Sequence, residues 1–234
     1  MEIPKLTSKE RAKMFAEIKD LFHKTGQTIG FDKQKDIRAQ VFFHCRDFTI
    51  TVILPLIQMS RVEENLIKKE QYPLIFGIDD TFSEDVFNHY LQFNRYAYLT
   101  FCMFHIESAL KSILKEILSK NPDDGYYNIC SNLLKKITIN SPNEKLDILL
   151  IPSFIRNSFH SNGIHTKTIN GKESVSYIIK GYEFTFEKGK TVNCGGWFHI
   201  YIIMKELVTV LKEIMQSKEI QNIKKIIPDQ YIPY

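Results

Sequence analysis

The chain has 234 residues, of which 44% are hydrophobic, so it is long and apolar enough to form a substantial core and is not a disordered protein. Its net charge of +4 is too small to indicate nucleic-acid binding by itself. Residues 111–234 nevertheless carry 17 Lys and Arg against 12 Asp and Glu, which favours either an anionic partner for the second half or ordinary solvated lysines on helix surfaces.

The first helix is predicted by a capping box, in which the Thr7 hydroxyl binds a backbone N–H group and Glu10 reaches back to the Thr7 amide. This helix covers about residues 8–23. A second, largely apolar helical segment covers roughly residues 32–69. Pro55 within it is expected to kink or split the helix, because proline lacks the amide hydrogen that a helix interior needs.

The third helix is the longest, running from Ser83 to about Lys120. Its apolar residues keep the helical period over more than 30 positions, and a second capping box, Thr81 with Glu84, marks its start. A short helix over about residues 126–137 follows. Helices of this length predict an antiparallel bundle.

A third capping box, Ser141 with Glu144, begins a helix that leads into residues 155–165, I-R-N-S-F-H-S-N-G-I-H. Arg156 and His160 are four residues apart, which places both side chains on one helical face. A guanidinium binds phosphate, and an imidazole transfers protons near neutral pH. The pair is therefore suited to phosphodiester chemistry.

Asn162-Gly163 ends this helix, with Gly163 at the left-handed position after the last turn. The apolar period then changes from 3.6 to 2, which predicts three strands joined by the turns Asn170-Gly171 and Lys180-Gly181: 164–169, 175–179 and 182–186. A last amphipathic helix runs from Trp197 to about Ser217. The predicted fold is mainly α, an antiparallel helical bundle with a small inserted three-stranded β-meander at about 164–187, in a single domain of residues 1–234.

Cysteine usage and apolar runs indicate the compartment. The four cysteines are widely scattered, which favours reduced thiols over a disulfide framework: Cys45, Cys102, Cys130 and Cys194. No apolar run approaches the roughly 20 residues of a membrane-spanning helix, and no signal peptide opens the chain. We therefore expect a cytoplasmic protein that does not bind membranes.

Two short pairs are candidate metal ligands, His44 with Cys45 and Cys102 with His105. Neither has a matching second pair at the spacing of a metal site. Glycine-rich loops that bind phosphate are absent as well. The sequence therefore predicts no metal site and no cofactor.

At residues 155–165 the sequence resembles the HEPN superfamily, all-helical domains found in RNA-cutting toxins and in proteins of bacterial defence. The mark of the family is an arginine, often followed by asparagine, and then a histidine near the end of the helix. Arg156-Asn157 fits this pattern. His160 comes earlier than the family's histidine and His165 comes later, so both are candidates.

The resemblance extends to the long third helix. The stretch F-C-M-F-H-I-E-S-A-L-K-S-I-L at residues 101–114 is similar to the long helix of such domains, in which an inward acidic residue, here Glu107, faces the arginine. An unpartnered carboxylate in this apolar stretch would be costly, so Arg156 is its first candidate partner. The resemblance covers about residues 83–217.

The resemblance implies a metal-independent endoribonuclease, a toxin or antiviral-defence effector that cuts RNA by attack of the ribose 2′-hydroxyl. A histidine would take the hydroxyl proton, and Arg156 would stabilise charge on the phosphoryl oxygens. Asn157 would orient the histidine or the phosphate, and Glu107 would hold Arg156 in place. The family also implies a homodimer that binds RNA, with an antitoxin or regulatory protein as a further partner.

Two other functions stay open, a catalytically inactive HEPN-like module that binds RNA, a nucleotide or a protein, and an all-helical interaction protein. In the second of these the motif serves structure alone. Arg156 would then bridge to a nearby carboxylate, His160 would bind the carbonyls of the last helical turn, and His165 would be a side chain of the meander.

Overall fold

The computed structural model describes residues 3–66, 80–122, 125–169 and 171–229. Over these ranges the protein is mainly helical, as predicted, with one small antiparallel sheet. In chain order the elements are α1 (Ser8–Thr28), α2 (Ile37–Leu66), α3 (Asp80–Leu118), α4 (Tyr126–Lys136), α5 (Pro142–Phe159), β1 (Ser174–Ile179), β2 (Tyr182–Glu187), α6 (Trp197–Gln216) and α7 (Lys218–Gln221).

α1 begins at the predicted capping box. The Glu10 N–H group donates to Thr7 Oγ1 at 3.3 Å, and the Thr7 N–H group donates to Glu10 Oε2 at 2.8 Å. The helix continues beyond the predicted range because its last turns pack on α2. A Cβ atom added to Gly26 would lie 3.1 Å from the Phe43 ring, so this glycine allows the two helices to approach closely.

α2 continues through Pro55 and is not split there. Proline removes one backbone hydrogen bond from the helix interior. On either side of it Val52 and Leu56 are buried against the core. Packing of this face therefore holds the helix together across the proline.

α2 also has the length and composition of a membrane-spanning helix. An 18-residue window within Ile37–Arg61 has a mean hydropathy of 1.3, and 39% of that window is buried inside the protein. A core helix of a soluble protein can also have this length and hydropathy. Buried Arg38 near its start donates to the carbonyls of Ile220 and Lys225, so this end of α2 is packed inside the protein.

The core joins α1, α3 and α6 through three aromatic rings. Phe15 packs edge-on against Tyr98, with ring centroids 5.1 Å apart, and against Trp197 at 5.2 Å. α3 contributes a long buried stripe: Tyr98, Leu99, Cys102, Met103, Ile106, Ala109, Leu110, Ile113 and Leu114. Burial of this stripe sets the direction in which the other side chains of α3 point.

The start of α5 differs from the prediction. Ser141 precedes the helix with a left-handed backbone, φ 48° and ψ 56°, and its hydroxyl makes no capping hydrogen bond. The predicted capping box with Glu144 is therefore wrong, because a capping side chain reaches the first-turn N–H groups from an extended backbone. The capping box predicted at Thr81 and Glu84 lies outside the described side chains.

The sheet has two strands in the described residues, not the three of the predicted meander. β1 pairs with β2 from Ser174–Glu187 to Ile179–Tyr182. Lys180 and Gly181 connect them with φ values of 52° and 80°, the two left-handed residues of a tight hairpin turn.

The segment predicted as the first strand makes only isolated bridges, Ile164 with Thr191 and Ile169 with Lys172. Its backbone bonds to the chain that leaves β2, since His165 N–H donates to the Lys190 carbonyl at 2.9 Å. β1 is therefore not its partner. The turn residue Asn170 lies outside the described residues.

A buried ion pair ties the C-terminal segment to the start of α2. Arg38 and Asp36 are each 2% exposed, and Arg38 Nε donates to Asp36 Oδ1 at 2.8 Å. The guanidinium also donates to the carbonyls of Ile220, Ile223 and Lys225. With a second bond to Asp36, all five of its N–H groups have an acceptor.

Asp36→Asn is expected to lower the free energy of unfolding by about 3–5 kcal/mol, because it leaves the Arg38 charge buried without its counter-ion. The Asp36 Oδ1 atom also accepts from the Arg38 N–H group at 3.0 Å at the start of α2. Asparagine can keep this bond, so the loss reports the charge. Asp47→Asn is the control, since Asp47 pairs with Arg46 while its side chain is 56% exposed. The control should cost less than about 1 kcal/mol in urea unfolding. Equal small losses would contradict the structural role of the buried pair.

Candidate functional site

The C-terminal end of α5 carries most of the predicted site. The helix ends at Phe159, and His160 is the capping residue. Asn162 and Gly163 have φ values of 53° and 82°, and the Gly163 N–H group donates to the Ser158 carbonyl at 2.9 Å. This is the predicted helix stop, and it turns the chain so that residues after 163 fold back beside the last turn.

Arg156 contacts Glu107 of α3, as the resemblance implied. Arg156 Nη1 donates to Glu107 Oε2 at 3.4 Å, with the two side chains 20% and 35% exposed. Nε and Nη2 both donate to Asn157 Oδ1, at 3.3 and 3.2 Å. All three bonds are longer than the roughly 2.7–2.9 Å of a strong charge-assisted hydrogen bond. The guanidinium is therefore oriented by weak contacts.

A pocket of about 430 Å³ lies beside this pair, between the end of α5 and the segment that follows it. Polar atoms for binding or proton transfer come from Asn157, His160, His165 and Lys167, and apolar walls come from Phe154 with other residues. Asn157 and His160 are exposed. A polar ligand can therefore reach the imidazole of His160 from solvent.

His165 occupies the floor of the pocket and is 5% exposed. Its ring lies 6.1 Å from that of Phe154 and 5.6 Å from that of Phe186. Burial lowers the pKa of His165, and a hydrogen bond with the Lys167 backbone opposes that shift. Nε2 is buried without a hydrogen-bond partner among the described residues. The imidazole is thus favoured in its neutral form.

The predicted residues form two adjacent groups. Asn157, His160 and His165 line the pocket, whereas Arg156 is absent from its lining and is paired with Glu107. Asn157 belongs to both groups, because it lines the pocket and accepts from Arg156.

Sequence reasoning missed Tyr127 and Lys167 as lining residues. Tyr127 lies on α4, and no sequence signal places α4 against the end of α5. Lys167 follows the motif by only a few residues. Its positive charge, within the basic second half of the chain, could have identified it as a candidate binding residue.

Thiol chemistry is unfavourable in three of the four cysteines. Burial raises the pKa of Cys130 and of Cys194 to about 12, and burial raises the pKa of Cys45. A thiol with a raised pKa carries little thiolate at neutral pH, and the thiolate is the nucleophile. The histidines are therefore better candidates for reactivity than these cysteines.

Comparison with known proteins found no match to a protein-family model, to a curated protein or to a solved structure.

The buried histidine at the floor of the pocket predicts acid sensitivity. Since the folded chain holds the pKa of His165 below its ordinary value of 6.5, the unfolded chain takes up a proton first, and stability should fall as the pH drops below about 6.5. Burial lowers the pKa of His105 and His199 in the same way. The loss of stability of the wild type at low pH is therefore the sum of the contributions of all three histidines.

His165→Asn should therefore reduce the loss of unfolding free energy between about pH 7 and pH 5, measured by urea unfolding at each pH. The same substitution at His89, an exposed residue of α3, should leave that loss at the wild-type size. An unchanged pH dependence in His165→Asn would show that His165 is not held neutral by the fold.

Proposed function

We propose that the chain is a metal-independent endoribonuclease of the HEPN type, acting in the cytoplasm as a toxin or antiviral-defence effector. The observation that supports it best is the pocket at the end of α5, where His160 and His165 lie beside Asn157 and next to the Arg156–Glu107 pair. Imidazole, amide and guanidinium groups are the ones that phosphodiester cleavage without a metal requires.

In the proposed reaction His160 takes the proton of a ribose 2′-hydroxyl, because it is the exposed imidazole of the pocket. The 2′-oxygen forms a bond to the adjacent phosphorus as the bond from phosphorus to the 5′-oxygen breaks. The leaving 5′-oxygen takes a proton from water, and protonated His160 returns its proton to solvent. The products are a 2′,3′-cyclic phosphate end and a 5′-hydroxyl end.

Arg156 would stabilise the charge that develops on the phosphoryl oxygens. Three of its five N–H groups donate at long distance to Glu107 and Asn157, and the described residues offer no acceptor to the other two. Glu107 would orient the guanidinium from α3. Asn157, which accepts from Arg156 and lines the pocket, would hold the guanidinium next to the pocket. His165 would form the floor against which the substrate packs.

A second function is a catalytically inactive HEPN-like module that binds RNA, a nucleotide or a protein partner. One observation favours it, since Arg156 is already paired with Glu107 and does not line the pocket that holds His160. Such a module would bind through Lys167 and the pocket walls without cleaving. An antitoxin or regulatory protein is a further partner in either case.

A homodimer is part of the proposal. α3 exposes an apolar stripe on the side away from the core: Phe93 is 68% exposed, Phe101 49% and Phe104 44%. Glu107 lies one helical turn beyond Phe104, beside this stripe. Isologous contact between two such stripes would bring both Arg156–Glu107 pairs toward one groove.

Cleavage of labelled RNA in excess chelator tests the enzymatic proposal. Arg156→Ala and His160→Ala should each reduce the rate of cleavage at least about a hundredfold, the usual size for loss of a general base or of a charge-stabilising donor. The exposed His89→Ala should cleave at the wild-type rate. The product ends should be a cyclic phosphate and a 5′-hydroxyl.

Binding of the same RNA distinguishes the two functions. Wild-type protein that binds RNA without cleaving it would favour the inactive module. An Arg156→Ala protein that unfolds, but cleaves at the wild-type rate per folded molecule, would make the arginine structural and would refute the nuclease proposal.

The dimer is tested by sedimentation at micromolar concentration. Phe93→Glu should convert the dimer to a monomer, because it places two charges in the apolar contact. Ile178→Glu is the matched control, since Ile178 is 76% exposed on β1 and is not part of the stripe on α3; it should leave the dimer intact. A wild-type monomer, or equal behaviour of the two variants, would contradict this interface.

A further inference from the structure

Three side chains from distant parts of the chain meet at the junction of α2, α3 and the C-terminal segment. They are His44, His105 and Asp229, and the potential ligand atoms of all three lie within 4.8 Å of one another. His44 Nε2 lies 3.1 Å from Asp229 Oδ2. The two imidazole rings are stacked, with centroids 4.6 Å apart and planes inclined by 29°.

The distances fit a single metal ion. Bonds of roughly 2.0–2.1 Å in a tetrahedral zinc site place neighbouring ligand atoms on the order of 3.3 Å apart. The contact between His44 and Asp229 already has about that length, and the other pairs of ligand atoms, which lie within 4.8 Å, would have to close by no more than about 1.5 Å. Two imidazoles and one carboxylate are typical ligands of Zn²⁺ and related divalent ions.

The surroundings of the cluster point to a ligand as well. Asp229 is 5% exposed, so its carboxylate lies out of solvent beside the two imidazoles. His105 Nδ1 is buried and has no hydrogen-bond partner among the described residues. Phe48 and Phe104 pack on the His105 ring at 5.3 and 5.5 Å, so the imidazole has an apolar shell on those sides.

Backbone contacts hold the carboxylate in position without any ion. The Ile37 N–H group donates to the Ile227 carbonyl at 2.8 Å, and Arg38 donates to the Lys225 carbonyl at 2.9 Å. These bonds fix the segment that carries Asp229 along the start of α2. Two of the three potential ligands therefore come from elements that are already joined, and α3 supplies the third.

We propose that His44, His105 and Asp229 bind one divalent transition-metal ion of the Zn²⁺ class, which joins α2, α3 and the C-terminal segment. Three protein ligands leave at least one position for water. The site is separate from the pocket of the proposed nuclease, whose chemistry uses no metal. Its test is therefore independent of RNA cleavage.

The experiment is calorimetric titration of the full chain with Zn²⁺, after treatment with chelator and its removal, in the presence of a phosphine reductant. Wild-type protein should bind one Zn²⁺ per chain, and binding should raise the thermal unfolding midpoint, because the ion binds the folded state. Co²⁺ in place of Zn²⁺ should give an absorption spectrum without the sulfur-to-cobalt charge-transfer band that cysteine ligands produce.

Variants locate the ion. His44→Gln and His105→Gln should each weaken Zn²⁺ binding at least about a hundredfold, since loss of a direct ligand costs no less than loss of its supporting contacts. His89→Gln, the same change at an exposed site on α3, should bind like the wild type. Circular dichroism of the metal-free variants verifies their folding. Because His44 is partly exposed, His44→Gln is expected to disturb the fold less than His105→Gln.

Wild-type protein that takes up no Zn²⁺ would overturn the proposal. Binding of unchanged strength in both His44→Gln and His105→Gln would overturn it too, and a thiolate band with Co²⁺ would assign the ion to the cysteines.

Discussion

The rotation of α3 about its own axis is the constraint on which both candidate sites depend. Its buried stripe fixes that rotation, because turning the helix would expose side chains such as Leu99, Ile106 and Ile113 that are fully buried. At about 100° per residue, His105 and Glu107 lie roughly 200° apart, at the two edges of the stripe. One edge therefore faces α2 and the C-terminal segment, and the other faces Arg156 on α5.

Local sequence signals predicted local structure well. The Thr7 capping box, the Asn162-Gly163 helix stop and the Lys180-Gly181 turn are all present, because each depends on a few neighbouring backbone bonds. Two other signals failed. The segment 164–169 alternates like a strand but pairs with the chain after β2, and Ser141 adopts a left-handed backbone that no local preference announces.

The same distinction explains the two candidate sites. The motif at residues 155–165 is compact in sequence, so its residues could be named in advance, and the family resemblance supplied Glu107. The cluster of His44, His105 and Asp229 joins residues up to 185 positions apart. Sequence spacing paired each histidine with a nearby cysteine, whereas packing directs Cys45 and Cys102 into the core and the histidines toward each other. Only the tertiary fold could reveal that arrangement.

Two arginines of the protein differ in how much of the guanidinium is left for a ligand. Arg38 is 2% exposed and uses all five N–H groups, so a ligand could gain no bond from it without breaking the junction of α2 with the C-terminal segment. Arg156 makes three long bonds, and its partner Glu107 is about one-third exposed. A partly exposed ion pair of this kind contributes at most about 1 kcal/mol, whereas hydrogen bonds to a charged group such as phosphate contribute roughly 1.5–3 kcal/mol each. In the proposed nuclease, a phosphate in the pocket would accept from the N–H groups of Arg156 that Glu107 and Asn157 do not use, so the ion pair with Glu107 would not prevent the guanidinium from serving a substrate bound there.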